Sequence, residues 1–233
     1  MKRVCAVLMA AARTVLWKLL LILILLAGAE TVLFWRTYPG GFSYFLVESR
    51  LWTVFFLALA ALCAVLCLQG CQFSGKPVYT LQRLPLPEEA VTLLWAAVHA
   101  ACLVILWAFQ LGLLWIFWRL FNRFGLASGQ TLELFVNVYG NDFLHGLLPL
   151  ADGSRHVRNV LWVLALGFET AAFGYFQRRG RFRVELIFLL AVGIGFFRTG
   201  MGETAADIWT SLLSLGMAAL TVYSGWEGLH ETA

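Results

Sequence analysis

The sequence predicts an all-α polytopic membrane protein with about six transmembrane helices and an N-terminal interfacial helix. First, 61% of its 233 residues are hydrophobic and only 13% are charged, against about 25% charged in an average soluble domain. Second, residues 51–70 and 90–118 contain no charged residue, and each stretch is long enough to cross a hydrocarbon core of about 30 Å as a helix. Third, ten Trp and six Tyr match the aromatic belts of membrane interfaces.

The predicted spans form a single transmembrane domain that covers residues 1–233. In chain order they are residues 16–35, 51–70, 91–119, 159–176, 184–198 and 207–226. The fifth is short, begins with Glu185 and contains two glycines, so a tilted or re-entrant segment is the alternative to a full crossing there.

The N-terminus resembles a secretory signal, because two basic residues precede an apolar core and small residues occupy 27–29. The apolar stretch resumes directly after Glu30, however. We therefore predict a retained first span, preceded by an interfacial helix that carries Arg13 and Lys18.

The orientation follows from the Lys and Arg residues near the span ends. With the N-terminus in the cytoplasm, ten of them lie inside: Lys2, Arg3, Arg13, Lys18, Lys76, Arg83, Arg178, Arg179, Arg181 and Arg183. The other seven lie outside: Arg36, Arg50, Arg119, Arg123, Arg155, Arg158 and Arg198. This bias and the dense group at 178–183 predict that both termini are cytoplasmic.

Two polar intervals separate the spans. Residues 121–158 fall outside the cell in this topology, and their semi-apolar sequence predicts an ordered exterior cap. Residues 71–90 fall inside, between spans two and three. Pro85 and Pro87 are expected to bound a helix start there, since proline disfavours helix before it and suits the first helical turn.

Several functions are excluded or disfavoured by motif chemistry. Residues 70–76 match the GxxxxGK of a phosphate-binding loop, but Pro77 stands where a Ser or Thr would bind magnesium. No Ser lies in a nucleophile motif, and the net charge of +4 is too diffuse for a nucleic-acid partner. Of the five cysteines, Cys63, Cys67 and Cys71 share one helix face, which is typical of small packing residues in a membrane helix.

Four polar residues, Glu30, Gln110, Glu169 and Glu185, lie within or beside the apolar spans. The first three are candidates for lining a transport pathway. Ionisable groups inside a membrane usually face the bundle interior or a water-filled cavity. A structural role, as a protonated or hydrogen-bonded residue, is the alternative for Glu169.

A second hypothesis rests on the exterior interval. Asp142, His145, Asp152 and His156 could supply two carboxylates and two imidazoles to a catalytic metal. The motif HExxH is absent from the sequence, and Asp and His are also common as turn and capping residues in surface loops.

The cytoplasmic interval carries a resemblance to a known family. Its Thr80–Leu81–Gln82–Arg83–Leu84–Pro85–Leu86–Pro87–Glu88–Glu89 run resembles the segment of ABC-2-type exporter permeases in which a Leu-Pro turn opens a short coupling helix. The six-span count, the interfacial N-terminal helix and the polar link at 198–207 resemble that family as well. Small permeases of this kind often serve lantibiotic immunity or peptide efflux in bacteria.

The resemblance implies a non-enzymatic permease subunit of an ATP-driven exporter in the cell membrane. It implies contact with a separate pair of ABC ATPases, which hold the ATP and magnesium, and a second permease as partner within the lipid bilayer. The residues it assigns to ATPase coupling are Tyr79, Thr80, Arg83, Leu84, Pro85, Leu86, Pro87 and Glu88. This chain itself is expected to bind no cofactor, metal or nucleic acid. A membrane-embedded metal-dependent hydrolase and a non-transporting accessory subunit are the alternatives.

Overall fold

The computed structural model describes residues 2–69, 87–125, 131–149, 152–181, 184–197 and 203–230. Within those ranges the chain is helical and contains no strand. Six of the predicted coupling residues lie outside the described residues: Tyr79, Thr80, Arg83, Leu84, Pro85 and Leu86.

The described residues form nine α-helices. In chain order these are α1 Lys2–Thr37, α2 Gly41–Glu48, α3 Leu51–Gln69, α4 Glu88–Arg123, α5 Thr131–Gly140, α6 Asp142–Leu147, α7 Gly153–Arg178, α8 Glu185–Phe196 and α9 Thr204–His230. A single 3-10 turn, Tyr38–Gly40, joins α1 to α2.

Five of these helices, α1, α3, α4, α7 and α9, are long and apolar enough to cross a membrane. They coincide with five of the six predicted spans, so the chain is compatible with a multi-pass membrane protein. The fifth predicted span, 184–198, corresponds to α8, whose 12 residues extend for about 18 Å at 1.5 Å per residue. The total number of crossings stays a prediction.

Two of the helices are longer than the predicted spans. Helix α1 runs without a break from Lys2 to Thr37, so the predicted interfacial helix is continuous with the first span instead of being a separate element. Helix α4 begins directly after Pro87, whose backbone is extended at φ −60° and ψ 143°. The helix start lies where the prolines predict it, but the same helix continues through the third predicted span to Arg123.

Side-chain contacts fix the directions of the helices. Gln69 at the end of α3 donates from Nε2 to the Thr14 carbonyl of α1 at 3.1 Å, so these two helices are antiparallel. Glu88 at the start of α4 pairs with Arg178 at the end of α7. These contacts define the proximal end of the bundle, which holds the N-terminus of α1; the other end is called distal.

Helices α7 and α9 are parallel to each other. Arg158 contacts Asp207 near the start of both helices, and Glu169 contacts Thr221 farther along both. The chain therefore returns from the proximal to the distal end in the residues between them, which include α8. The start of α1 and the end of α9 both lie toward the proximal end as a result.

The proximal end contains a hydrophobic cluster of its own. Beyond the end of α3, the first turns of α1 and α4 pack against the last third of α7 through Val7, Ala11, Val91, Trp95, Ala96 and Ala171. Since α4 is 36 residues long, or about 54 Å, it exceeds a hydrocarbon core of about 30 Å by several turns. The three helices thus extend together past the end of α3.

Helix α7 lies at the centre of the bundle, and close backbone approach holds it there. A Cβ added at Gly167 would lie 2.8 Å from the backbone nitrogen of Ala100 on α4. On its other side, the Trp162 indole packs against Gly193 of α8 and donates from Nε1 to the Leu189 carbonyl at 3.1 Å. Small residues at such seams allow membrane helices to pack tightly.

Candidate functional site

The predicted pathway residues Glu30 and Gln110 are in direct contact. Both are 0% exposed, and Gln110 donates from Nε2 to Glu30 Oε1 at 2.6 Å. The rings of Phe34 and Phe117, one or two turns farther along the same two helices, also stack, with their centroids 5.3 Å apart. Helices α1 and α4 are therefore parallel, and this register produces the contact. The pair is embedded in the main hydrophobic core.

Glu169, the third predicted pathway residue, lies at a separate position. Its Oε1 accepts a hydrogen bond of 2.6 Å from Thr221 Oγ1, and both residues are 2% exposed. It joins α7 to α9, whereas Glu30 and Gln110 join α1 to α4. The three candidates therefore occupy two helix interfaces and do not form one continuous polar site.

A buried polar contact at the α4–α7 interface was not predicted. His99 Nδ1 lies 3.0 Å from Thr170 Oγ1, and the Thr170 hydroxyl also faces the Leu166 and Gly167 carbonyls of its own helix. The His99 ring is 1% exposed. A histidine inside a predicted span was the available signal, but nothing in the sequence placed Thr170 opposite it.

At the proximal end, Glu88 joins α4 to the last turn of α7. Its Oε1 lies 2.7 Å from Arg178 NH2, and its Oε2 lies 3.5 Å from Arg179 NH2. The Arg179 guanidinium also stacks over the Tyr175 ring at 4.1 Å. Because the Glu88 side chain is 44% exposed, solvent screens these ion pairs.

The distal end holds an ionic cluster, defined here as Asp152, Arg155, Arg158 and Asp207, of which all but the half-exposed Asp152 are buried. Arg158 NH1 lies 2.8 Å from Asp207 Oδ1, and Ser154 Oγ donates to Asp207 Oδ2 at 2.9 Å. Arg155 Nε lies 3.6 Å from Asp152 Oδ2 and 3.9 Å from Asp207 Oδ2. Two carboxylates and two guanidinium groups thus balance one another.

The two arginines of the ionic cluster are buried. Arg155 and Arg158 were placed among seven cations on the exterior side, and they are 1% and 2% exposed. Their position at a span end did not indicate this burial, because their counter-charge Asp207 comes from a helix about 50 residues later in the chain. When these two arginines are left out, the predicted cytoplasmic side exceeds the predicted exterior side in basic residues by a larger margin.

Neutral groups complete the hydrogen bonding of the ionic cluster. Asn159 Oδ1 accepts from Arg158 Nε at 3.1 Å and NH2 at 3.0 Å, while Asn159 Nδ2 donates to the Gly146 carbonyl at 2.8 Å. Arg155 NH1 lies 2.8 Å from His145 Nδ1. The cluster therefore ties α6 to α7 and α9.

His145 is neutral in this arrangement. An arginine only donates, so Nδ1 of His145 must accept the contact from Arg155. Burial lowers the pKa of His145, and the Arg155 charge lowers that pKa further, while Asp152 opposes the shift. The Tyr139 ring packs edge-on against the imidazole at 4.8 Å.

The four residues of the metal hypothesis do not form a metal site. His145 faces a guanidinium, Asp142 is exposed at the first turn of α6, and His156 is exposed on the outer surface of α7. Within the described ranges, no group of three or more His, Cys, Asp or Glu side chains could hold a metal ion.

A lateral cleft lies between α4 and α7 near the distal end. Its volume is about 310 Å³, and its lining is mostly apolar: Val104, Trp107, Ala108, Leu111, Leu147, His156, Asn159, Val160, Val163 and Leu164. Trp107 fixes one wall by donating from Nε1 to the Leu147 carbonyl at 3.0 Å. The cleft adjoins the ionic cluster through Asn159.

The sequence matches no protein-family model, and no curated protein and no solved structure is significantly similar to it.

Proposed function

We propose that this chain is the permease subunit of an ATP-driven exporter, a multi-pass protein of the bacterial cell membrane with cytoplasmic termini. ATP and magnesium bind to a separate pair of ABC ATPases, and a second permease, identical or related, completes the pathway within the lipid. The chain itself performs no ATP hydrolysis. The resemblance of residues 80–89 to a coupling segment supports this function.

The observation that carries the proposal is the link between that segment and two long helices. Residues 71–87 lead directly into α4, and Glu88 in the first turn of α4 is paired with Arg178 and Arg179 at the end of α7. A force applied to the segment would therefore reach α4 through the chain and α7 through the ion pairs. A rocking mechanism of transport requires helices that move together, and the close approach of Gly167 on α7 to Ala100 on α4 also holds these two helices together.

Movement of the α4–α7 pair would change two polar contacts inside the membrane. Helix α4 carries Gln110, which bonds to Glu30 on α1, and α7 carries Glu169, which bonds to Thr221 on α9. Both partner helices lie outside the α4–α7 pair. Rocking would thus open the α1–α4 or the α7–α9 interface, and these are the proposed sites of the pathway.

The distribution of cations supports the proposed orientation. The proximal end carries Arg178, Arg179 and Arg181, and α1 adds exposed Arg13 and Lys18 near the same end. At the distal end, two of the seven basic residues are neutralised inside the ionic cluster. The proximal end is therefore proposed to face the cytoplasm, where basic residues are retained.

Purification from native membranes in mild detergent tests the partnership. We expect a tagged chain to retain a stoichiometric ATPase and a second permease. Recovery of a lone monomer without ATPase, under conditions that keep the complex intact, would instead support the accessory-subunit alternative.

Transport-stimulated ATPase activity of the assembled complex tests the coupling. The double variant Tyr79→Ala and Arg83→Ala should weaken ATPase docking by about thirtyfold, since an interface anchor typically contributes 2 kcal/mol or more. Glu88→Gln should lower stimulation, because it removes the ion pairs of α4 with Arg178 and Arg179 of α7. Glu89→Gln, one residue farther on and exposed, is the matched control. Wild-type stimulation in the double variant would show that the segment is only a linker.

A further inference from the structure

We infer that Glu30 and Gln110 form a proton-binding site, in which the Glu30 carboxyl holds one proton at neutral pH and closes a hydrogen-bonded ring between α1 and α4. Two observations point to this ligand. Both side chains are completely buried, and one oxygen of each, Glu30 Oε2 and Gln110 Oε1, has no hydrogen-bond partner. The remaining carboxyl oxygen is bonded to the amide nitrogen at 2.6 Å.

A single proton satisfies both unpartnered atoms. An ionised carboxylate and an amide oxygen only accept hydrogen bonds, so the two cannot bond to each other as they stand. A proton on Glu30 Oε2 supplies the missing donor, and Gln110 Oε1 is the adjacent unused acceptor. The acid and the amide then share two hydrogen bonds, one in each direction. A buried polar atom left without a partner would instead be destabilising by about 1–3 kcal/mol.

The surroundings offer no positive charge as an alternative to the proton. Among the described side chains, the ionisable residues on the helices packed against the pair are Cys5, Arg13, Lys18 and Arg36 on α1, Tyr44 and Glu48 on α2, Cys63 and Cys67 on α3, and Glu88, Glu89, His99, Cys102, Arg119 and Arg123 on α4. In the part of the chain that is described, none of them bonds to Glu30 or Gln110. One turn away on the two helices lie the buried side chains of Leu26, Phe34, Leu106, Leu113 and Leu114.

Proton binding is linked to contact between α1 and α4. When the helices separate and water reaches Glu30, the carboxyl ionises, because a solvated glutamate is charged at neutral pH. Separation therefore releases a proton, and a rise in pH favours separation. This linkage does not depend on ATP-driven transport and would hold for an accessory subunit as well.

Infrared spectroscopy of the purified protein in lipid tests the site directly. At pH 7 the wild type should show the carbonyl stretch of a protonated carboxylic acid, and Glu30→Gln should lose the part that corresponds to one carboxyl per chain. Glu48→Gln, which changes an exposed glutamate of α2, should retain the full band. Absence of the band from the wild type, or its full retention in Glu30→Gln, would overturn the inference.

A second variant keeps the test decisive if Glu30→Gln does not fold. Gln110→Met keeps the carboxyl but removes the amide, so the acid band should shift to higher frequency. An unchanged band would contradict the hydrogen-bonded ring.

Denaturation supplies an independent readout. Unfolding at pH 7 should release about one more proton per chain from the wild type than from Glu30→Gln, as measured with a pH-indicator dye, and equal release would contradict the site.

Discussion

The two ends of helix α7 use the same chemistry in opposite environments. At the distal end Arg158 and Asp207 pair at 2.8 Å with side chains that are 2% and 3% exposed. At the proximal end Arg178 and Glu88 pair at 2.7 Å, but these side chains are 16% and 44% exposed. The bond lengths are almost equal, so the difference between the two ends lies in solvation.

Burial makes the distal end a fixed point and the proximal end an adjustable one. A buried charge that loses its partner is strongly destabilising, so the ionic cluster resists separation of α7 from α9. An exposed ion pair contributes only about 0–1 kcal/mol, so thermal motion and salt can break it. Helix α7 is thus expected to pivot about its distal end while its proximal end responds to a partner.

The largest effect is expected from breaking the buried pair. Asp207→Asn leaves Arg158 and Arg155 without one of their two carboxylates, and it should reduce the free energy of unfolding by about 3–5 kcal/mol. Thermal melting in detergent measures the change. Asp142→Asn, at an exposed position of α6, is the control and should leave the melting temperature almost unchanged. Equal melting of both variants would mean that the two ends of α7 do not differ.

A smaller effect is expected midway along α7. Gly167→Ala places a methyl group 2.8 Å from the Ala100 backbone nitrogen, and such overpacking is destabilising by about 1–3 kcal/mol. Gly112→Ala is the control, because no atom lies within 4 Å of its added Cβ. That substitution should be neutral or stabilising by up to about 1 kcal/mol. If Gly167→Ala is neutral, close approach of α4 and α7 is not what holds the centre of the helix.

Acid should weaken the distal end of α7. The pKa of His145 is lowered in the folded protein by burial and by Arg155, so the unfolded chain takes up the proton first as pH falls. The stability that His145 contributes is therefore intact above about pH 6.5 and declines below it. The hydrogen bond from Arg155 to His145, which protonation of the imidazole would break, contributes about 1 kcal/mol.

Melting temperature measured between pH 7.5 and pH 5 should show this decline in the wild type and less of it in His145→Gln. The exposed His156 gives the matched variant His156→Gln, which should follow the wild type. A decline of the same size in His145→Gln would assign the acid sensitivity to another group.

The smallest effect on stability is expected at the proximal end. Glu88→Gln should lower the free energy of unfolding by less than about 1 kcal/mol, and added salt should remove the difference from the wild type because exposed charges are screened. Glu89→Gln provides the baseline. The deficit of Asp207→Asn should persist in the same salt, and a salt-sensitive deficit there would argue that the ionic cluster is hydrated.

The positions of the long apolar helices were largely predictable. Uncharged stretches of 20 or more residues predicted the positions of α3 and α4, because a helix of that length is required to cross a bilayer. Pro87 predicted the start of α4. Residues 121–158 were predicted to be ordered, and the described parts include α5 and α6. The 12-residue length of α8 was only partly foreseen, because glycines weaken a helix prediction without fixing its ends.

The polar contacts were less predictable. Glu30 and Gln110 were both selected as polar residues inside spans, but their pairing depends on the parallel register of α1 and α4. The burial of Arg155 and Arg158 was not foreseen, since a basic residue at a span end has the same sequence pattern whether it faces water or a carboxylate. His99 and Thr170 face each other only because Gly167 allows α7 to approach α4.

The sequence by itself determined that this chain is helical, suited to a membrane and divided into segments of membrane-crossing length. These properties are local, since hydrophobicity and backbone hydrogen bonding act within each segment. Only the tertiary structure decided which polar groups meet, which charges are buried and which helix lies at the centre. Those outcomes depend on contacts between residues 49 to 90 positions apart, such as Arg158 with Asp207 and Glu88 with Arg178. The registers of the packed helices set such contacts, and no single segment encodes them.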